Sequence, residues 1–159
     1  MPLIKNHTIP KAFAALEKKS YWAAALEPAG YQTQFDAFAN SLSLLLKIGD
    51  TTDQKELVTY TENVRNDLDL QLIPAFWPVI KENDSDWQWL TNNCKYEFRN
   101  YPYEFHNGGT WQMVNGFYGM GLTEVGEIEK AREVLSQICL LYTSPSPRDQ
   151  RGSRMPSSA

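Results

Sequence analysis

Cysteine and histidine are scarce in this chain. Its 159 residues hold two of each, Cys94 and Cys139, His7 and His106. No Cys/His spacing of a structural zinc site surrounds them, so a metal centre has no support and no cofactor is expected. Positive charge is thin as well: 15 Lys and Arg stand against 19 Asp and Glu, a formal charge of −4. Without a basic stripe, nucleic acid is excluded as an expected partner. No apolar run is long enough to span a bilayer, so no membrane partner is expected. Strand-period alternation long enough for a sheet is missing too, and no short repeat stands out. Gly108-Gly109 lacks the phosphate-loop pattern, and no local signature of Ser/His or Cys/His nucleophiles occurs.

The chain's end reads differently from the rest. Cys139–Asp149, with the run Thr143-Ser-Pro-Ser-Pro-Arg148, resembles the translation of a sequencing-library adapter, and Ser153–Ala159 resembles its other end. Residues 139–159 are therefore read as a disordered, adapter-derived, non-native tail that takes no part in the fold. That tail carries three arginines against one aspartate, which leaves residues 1–138 at −6. It also removes Cys139, and a lone Cys94 gives no disulfide signal. The start lacks the basic and apolar regions of a secretory signal. Together these features predict a cytoplasmic protein.

What is present is helical punctuation. Pro10 precedes a short helical pattern over Lys11–Lys18. Tyr21–Leu26 fits a helix or an extended segment, and Pro28 and Gly30 break it. Phe35, Phe38, Leu42, Leu45 and Leu46 recur at threes and fours and predict a helix over Phe35–Ile48, closed by Gly49. Thr51 or Thr52 is the expected cap of a following helix. Its stripe is Leu57, Tyr60, Val64 and Leu68, with Glu56, Glu62, Arg65 and Asp67 on a solvated face. Pro74 and Pro78 make Leu70–Ile80 an extended connection. After Thr110 as cap, Trp111, Val114, Phe117 or Tyr118, and Leu122 share one helix face. Gly116, Gly119 and Gly121 are unfavourable there, by about 1 kcal/mol each relative to Ala, unless a neighbouring helix approaches closely. Gly126 separates this helix from another over Glu127–Ile138, striped by Ile128, Ala131, Leu135 and Ile138. The pattern is that of antiparallel helical hairpins.

One irregular stretch, Arg99–Trp111, concentrates the chemistry. It holds four aromatic residues, His106, Asn107, Glu104 and two adjacent glycines, and a helix follows at once. Loops that combine rings with hydrogen-bonding groups hold ligands. Rings stack on sugar faces, amide and imidazole groups contact hydroxyls, and glycines let the backbone approach. The same stretch also fits a buried corner of a helical protein, with His106 and Asn107 satisfying backbone groups. Asp36 likewise reads either as a first-turn acid or as an acceptor for a sugar hydroxyl.

Tyr101-Pro-Tyr-Glu-Phe-His-Asn-Gly-Gly-Thr-Trp111 resembles the Tyr-His-Asn-Gly-Gly-Ser-Trp segment of the alkaline/neutral invertase glycoside hydrolases. Gln34-Phe35-Asp36-Ala37-Phe38 is similar to that family's turn into an apolar helix. The likeness runs from about Leu26 to Ile138. It implies an all-α fold, part of an (α/α)6 barrel built of helical hairpins with long aromatic loops. It implies a glycosidase acting on sucrose or a small α-glucoside with inversion, and His106, Asn107, Trp111, Asp36 and Tyr103 as substrate-binding residues. The family's acid and base lie in Asp-Arg-Arg-Met and Glu-Tyr-Tyr-Asp type segments, and neither occurs here. No catalytic residue is assigned, and the chain alone is expected to be inactive. Glu104 is the tempting acid, without support from its neighbours. Amylo-α-1,6-glucosidase-like debranching enzymes carry comparable segments. A sugar isomerase or epimerase on the same barrel needs further histidines. A non-catalytic helical interaction module would bury His106 and Trp111 in packing. Hairpins from such a barrel also predict bare apolar faces and a marginal, aggregation-prone chain.

Overall fold

A computed structural model describes residues 19–27, 30–92 and 96–143. The helix expected over Lys11–Lys18, His7, Cys94 and residues 144–159 of the tail lie outside them. The expectation that the whole of 139–159 takes no part in the fold is corrected for residues 139–143, which continue the last helix, with Leu141 packed against the core. The chain runs β1 (Ala23–Glu27), β2 (Gly30–Asp36), α1 (Ala37–Leu45), α2 (Thr51–Asn66), β3 (Phe76–Trp77), α3 (Trp87–Asn92), α4 (Gln112–Glu124) and α5 (Ile128–Thr143). The fold is predominantly helical; α1 packs on α4 and α4 on α5, an arrangement consistent with part of an (α/α) toroid. Among the described residues no helix is long and apolar enough to cross a membrane.

The expectation of no sheet is corrected. β1, β2 and β3 form a three-stranded antiparallel sheet in that order. Phe35 pairs with Trp77 and Asp36 with Phe76. Ala-rich β1 shows no alternation, and β3 is only two residues long. Its stability comes from a partner some forty residues away, which no local pattern reports.

Two helix faces are also corrected. The first helix starts at Ala37 rather than Phe35, and Phe38 and Leu46, assigned to the core, are exposed. Its buried face is Ala37, Asn40, Ser41, Ser43 and Leu44. The serines go inside because each hydroxyl donates within the helix, Ser41 to Ala37 O (2.6 Å) and Ser43 to Asn40 O (2.7 Å). Small residues let α1 and α4 approach. A Cβ on Gly121 would lie 2.8 Å from Leu44 Cβ and 3.0 Å from Ser41 O. That is the close approach expected of the α4 glycines, at one of the three. Gly116 faces open space, and Gly119 meets only Val134 Cγ1 at 4.0 Å.

On α2, Glu62 and Arg65 are buried rather than solvated. Burial is tolerated because the pair is closed. Arg65 Nη2 and Nε bond Glu62 at 2.6 and 3.2 Å, and Tyr118 Oη donates to Glu62 Oε1 at 2.8 Å. Burial, and secondarily the Glu62 charge, pushes the Tyr118 phenol well above its usual range. The α2 cap is Asp50, which accepts from Thr52 and Asp53 N–H while Asp53 answers the Asp50 N–H. On α5 the buried residue is Val134, and Ile128 and Leu135 are exposed beside an apolar groove.

Candidate functional site

The site is organised by the link between α2 and α3. Leu72, Ile73, Pro74 and Ala75 are buried. Ala75 bonds on both sides: its carbonyl accepts from Ala37 N–H (2.9 Å) and its N–H donates to Gly109 O (2.8 Å). Pro74 bridges Thr110. The link therefore lies between the starts of α1 and α4 and sets Asp36 and Trp111 at the same end of two packed helices.

Residues 99–111 fold as a tight elbow. Glu104 N–H donates to Tyr101 O, Asn107 N–H to Glu104 O and Tyr103 N–H to Asn107 O, all at 2.8–2.9 Å. His106 N–H is held by Asn100 Oδ1 at 3.1 Å. Tyr103 (φ 68°) and Phe105 (φ 47°) take left-handed backbone, which large side chains rarely adopt and which clusters at ligand sites. Both rings stand exposed. Gly108 needs its φ of 90°, and a Cβ on Gly109 would lie 2.1 Å from Phe105 O.

Three rings close on one another in the elbow. His106 stacks on Trp111 with centroids 5.0 Å apart and planes 4° apart. Phe105 stands edge-on to both, at 4.6 and 5.2 Å. Trp111 Nε1 donates to Phe105 O at 2.9 Å. Such contacts add roughly 0.5–1.5 kcal/mol per pair beyond burial. Trp111 is half-buried against the core, whereas His106 is exposed. Burial of His106 in packing, which an interaction module required, is not what the structure shows.

Asn107 takes the other role. It is 2 % exposed; its Oδ1 accepts from Ile80 N–H (2.8 Å), and its Nδ2 donates to Ile80 O (2.8 Å) and Asn100 O (3.0 Å). Both amide hydrogens are spent on backbone carbonyls. The expected ligand contact by Asn107 is therefore corrected: it clamps the elbow to the link. Asp36 caps α1, with Oδ1 accepting from Ala39 N–H at 3.0 Å, and its Oδ2 makes no hydrogen bond among the described residues. The cap expected at Thr110 is corrected to Trp111, which supplies no side-chain bond to the first turn of α4. Tyr103 is 63 % exposed beside the elbow. Glu104 is exposed, without the enclosure that tunes an acid catalyst. Among the described residues no three His, Cys, Asp or Glu side chains converge as a metal site.

Sequence reasoning missed Phe105 as a wall of the cluster, and it missed the buried asparagines. Asn115 repeats the Asn107 clamp: Oδ1 accepts from Ile73 N–H (2.8 Å), and Nδ2 donates to Ile73 O and Trp111 O (both 3.0 Å). Asn40 does the same with Trp22 and Asp36 O. The available signal for Asn40 and Asn115 was an Asn four residues after the N-caps of α1 and α4.

A family model described as alkaline and neutral invertase matches residues 4–139. Alkaline/neutral invertase C, mitochondrial, of Arabidopsis thaliana is 21 % identical over 121 residues, 76 % of this chain. The chain spans 18 % of that relative's length.

Proposed function

The chain belongs to the alkaline and neutral invertase family, and on that premise we propose that it forms one wall of the sugar pocket of a glycosidase acting on sucrose or a small α-glucoside with inversion. The observation that supports this reading is the His106–Trp111 stack, half-buried at Trp111 and exposed at His106, with Phe105 at its edge. Flat apolar faces of that kind receive the C–H face of a sugar ring, while polar groups at the margin take its hydroxyls. Trp111 anchors the stack, and His106, lying over its ring, presents the open face. Tyr103 flanks them, and the uncommitted oxygen of Asp36 accepts from a hydroxyl. Asn107 and Asn115 hold the backbone that carries these groups.

Inversion needs a general acid and a general base roughly 6.5–9.5 Å apart, with water between base and sugar. In this proposal both come from the Asp-Arg-Arg-Met and Glu-Tyr-Tyr-Asp type segments of a longer protein, and the present chain by itself is inactive. The cytoplasm is the compartment proposed, and residues 139–159 are proposed as non-native. The test is expression of the extended reading frame and assay with sucrose and with α-1,6-linked glucosides. Release of glucose and fructose from sucrose, lost in Trp111→Ala and retained in Glu104→Gln, is the expected result. Hydrolysis of α-1,6 linkages alone, or no hydrolysis by a frame carrying both carboxylate segments, overturns it.

A further inference from the structure

Beside the elbow, and separate from its rings, lies a polar cleft of about 480 Å³, within the size range of small-ligand sites. Pro78, Val79 and Ile80 form its apolar lining; Thr33 and Gln34 of β2 stand on one side and Asn83–Asp86 on another, with Lys19 and Tyr21 completing it. We propose that this cleft is a second binding site, for a single neutral, hydroxyl-rich ring such as one hexose unit. The inference draws on the carbohydrate reading only for its ligand class.

Four observations carry it. The cleft is built from separate elements and held in shape: Gln34 Nε2 donates to Asp86 Oδ2 across from β2 to the 83–86 turn, and Asp84 Oδ2 accepts from Lys81 N–H at 2.7 Å. That leaves the second oxygen of Asp86, a lining residue, with only a long contact to Ser85 Oγ (3.5 Å), so it remains a strong acceptor. The Asn83 amide makes no hydrogen bond among the described residues and adds both a donor and an acceptor to the lining. Charge selects against anions, since Lys19 stands against Asp84 and Asp86, and two carboxylates without a third ligand do not make a cation site. A lining that combines Pro78, Val79 and Ile80 with a larger share of hydrogen-bonding groups matches a ligand that carries C–H surface and many hydroxyls.

This cleft reads its ligand differently from the elbow. The Tyr21 ring is occupied by Phe35 (5.5 Å, edge-on) and Tyr60 (4.5 Å), and its hydroxyl donates to Thr33 O. No free ring face is offered by Tyr21, so recognition falls to hydroxyl geometry. The two sites share Val79 and Ile80: Asn107 holds Ile80 from the elbow side, and the space a Gly108 Cβ would need is filled by Val79 Cγ2 at 2.6 Å.

The test titrates the full chain with D-glucose and follows backbone amide shifts by NMR. Shifts at Asn83, Ser85 and Gln34 are expected, with at least tenfold weaker binding in Asp86→Ala and Gln34→Ala and little change in Trp111→Ala. D-glucose 6-phosphate is expected to bind more weakly than D-glucose. Shifts confined to 103–111, lost only in Trp111→Ala, overturn this cleft while leaving the ring-lined pocket standing. Shifts at 83–86 that persist unchanged in both cleft variants, or no shift at 83–86 in the unsubstituted chain, overturn it as well, whatever the state of the variants' folding.

Discussion

The starts of α1 and α4 are built alike and finished differently. Each helix carries an asparagine four residues after its N-cap, Asn40 and Asn115, that pairs with both backbone groups of an incoming residue and with the N-cap carbonyl. Trp22 enters α1 in this way and Ile73 enters α4. At α1 the cap is Asp36, whose carboxylate turns inward to Ala39 N–H and seals the first turn. At α4 the cap is Trp111, which gives the first turn no side-chain bond and turns its ring to His106 and Phe105. An added clamp, Asn107, appears only there. The same docking device thus serves one closed helix start and one that presents an open aromatic face, and the difference lies in the cap residue and the elbow before it.

The largest effect separating the two starts is expected at the clamps. Asn115 is fully buried, so Asn115→Ala strands the Ile73 N–H and carbonyl and lowers stability by about 3 kcal/mol in thermal or urea unfolding. Trp22 is 44 % exposed, so water replaces part of what Asn40→Ala removes, and the loss is expected to be about half as large. Equal losses would mean that the two clamps are not set apart by solvent.

Glycines sharpen the contrast within α4. Gly121→Ala pushes a methyl into Leu44 and the Ser41 carbonyl and is expected to destabilise by about 2 kcal/mol. Gly116→Ala, where nothing lies within 4 Å, is expected to stabilise the chain by about 0.5–1 kcal/mol through helix propensity. Unfolding midpoints moving the same way for both would break the account of helix approach at Gly121.

Asp36→Ala removes the α1 cap at about 1 kcal/mol, and Asp36→Asn restores most of it. The matching change at α4, Trp111→Phe, removes no cap. Its effect should fall on sugar-induced quenching of Trp and Tyr fluorescence rather than on the helix signal in circular dichroism.

The last prediction concerns pH. The buried Tyr118 phenol has its pKa raised in the folded chain above the ordinary 10.0, so folding disfavours its ionisation. Its contribution is complete below pH 10 and declines above it, because the unfolded chain releases that proton first. Unfolding midpoints should fall beyond pH 10 and fall less steeply in Tyr118→Phe.

Much of the helical framework was legible. Gly126, at positive φ, follows the α4 cap as its position suggested, and the two prolines kept residues 70–80 out of a helix; Gly49 does not close α1, which ends at Leu45 with Leu46 as cap and Lys47 in left-handed backbone. The faces were less legible, because burial here does not follow hydrophobicity. Asn40, Ser41 and Ser43 go inside where α1 meets α4, and Glu62 and Arg65 go inside because Tyr118 completes their bonding. A periodicity argument sees polar residues and assigns them to water. The elbow was half legible. Its rings and glycines announced an unusual turn, and the choice between contact and clamp fell differently on adjacent residues: His106 is open and Asn107 is spent.

The sequence by itself determined the helical segments, the breaks between them and the family, since local propensity, turn residues and a short aromatic motif are carried in neighbouring positions. Only the tertiary structure decided the sheet, the buried asparagine clamps and the polar cleft. The β2–β3 pairing, the clamps and the cleft each join segments far apart in the chain, and a hydrogen bond across that distance leaves no mark on either segment alone.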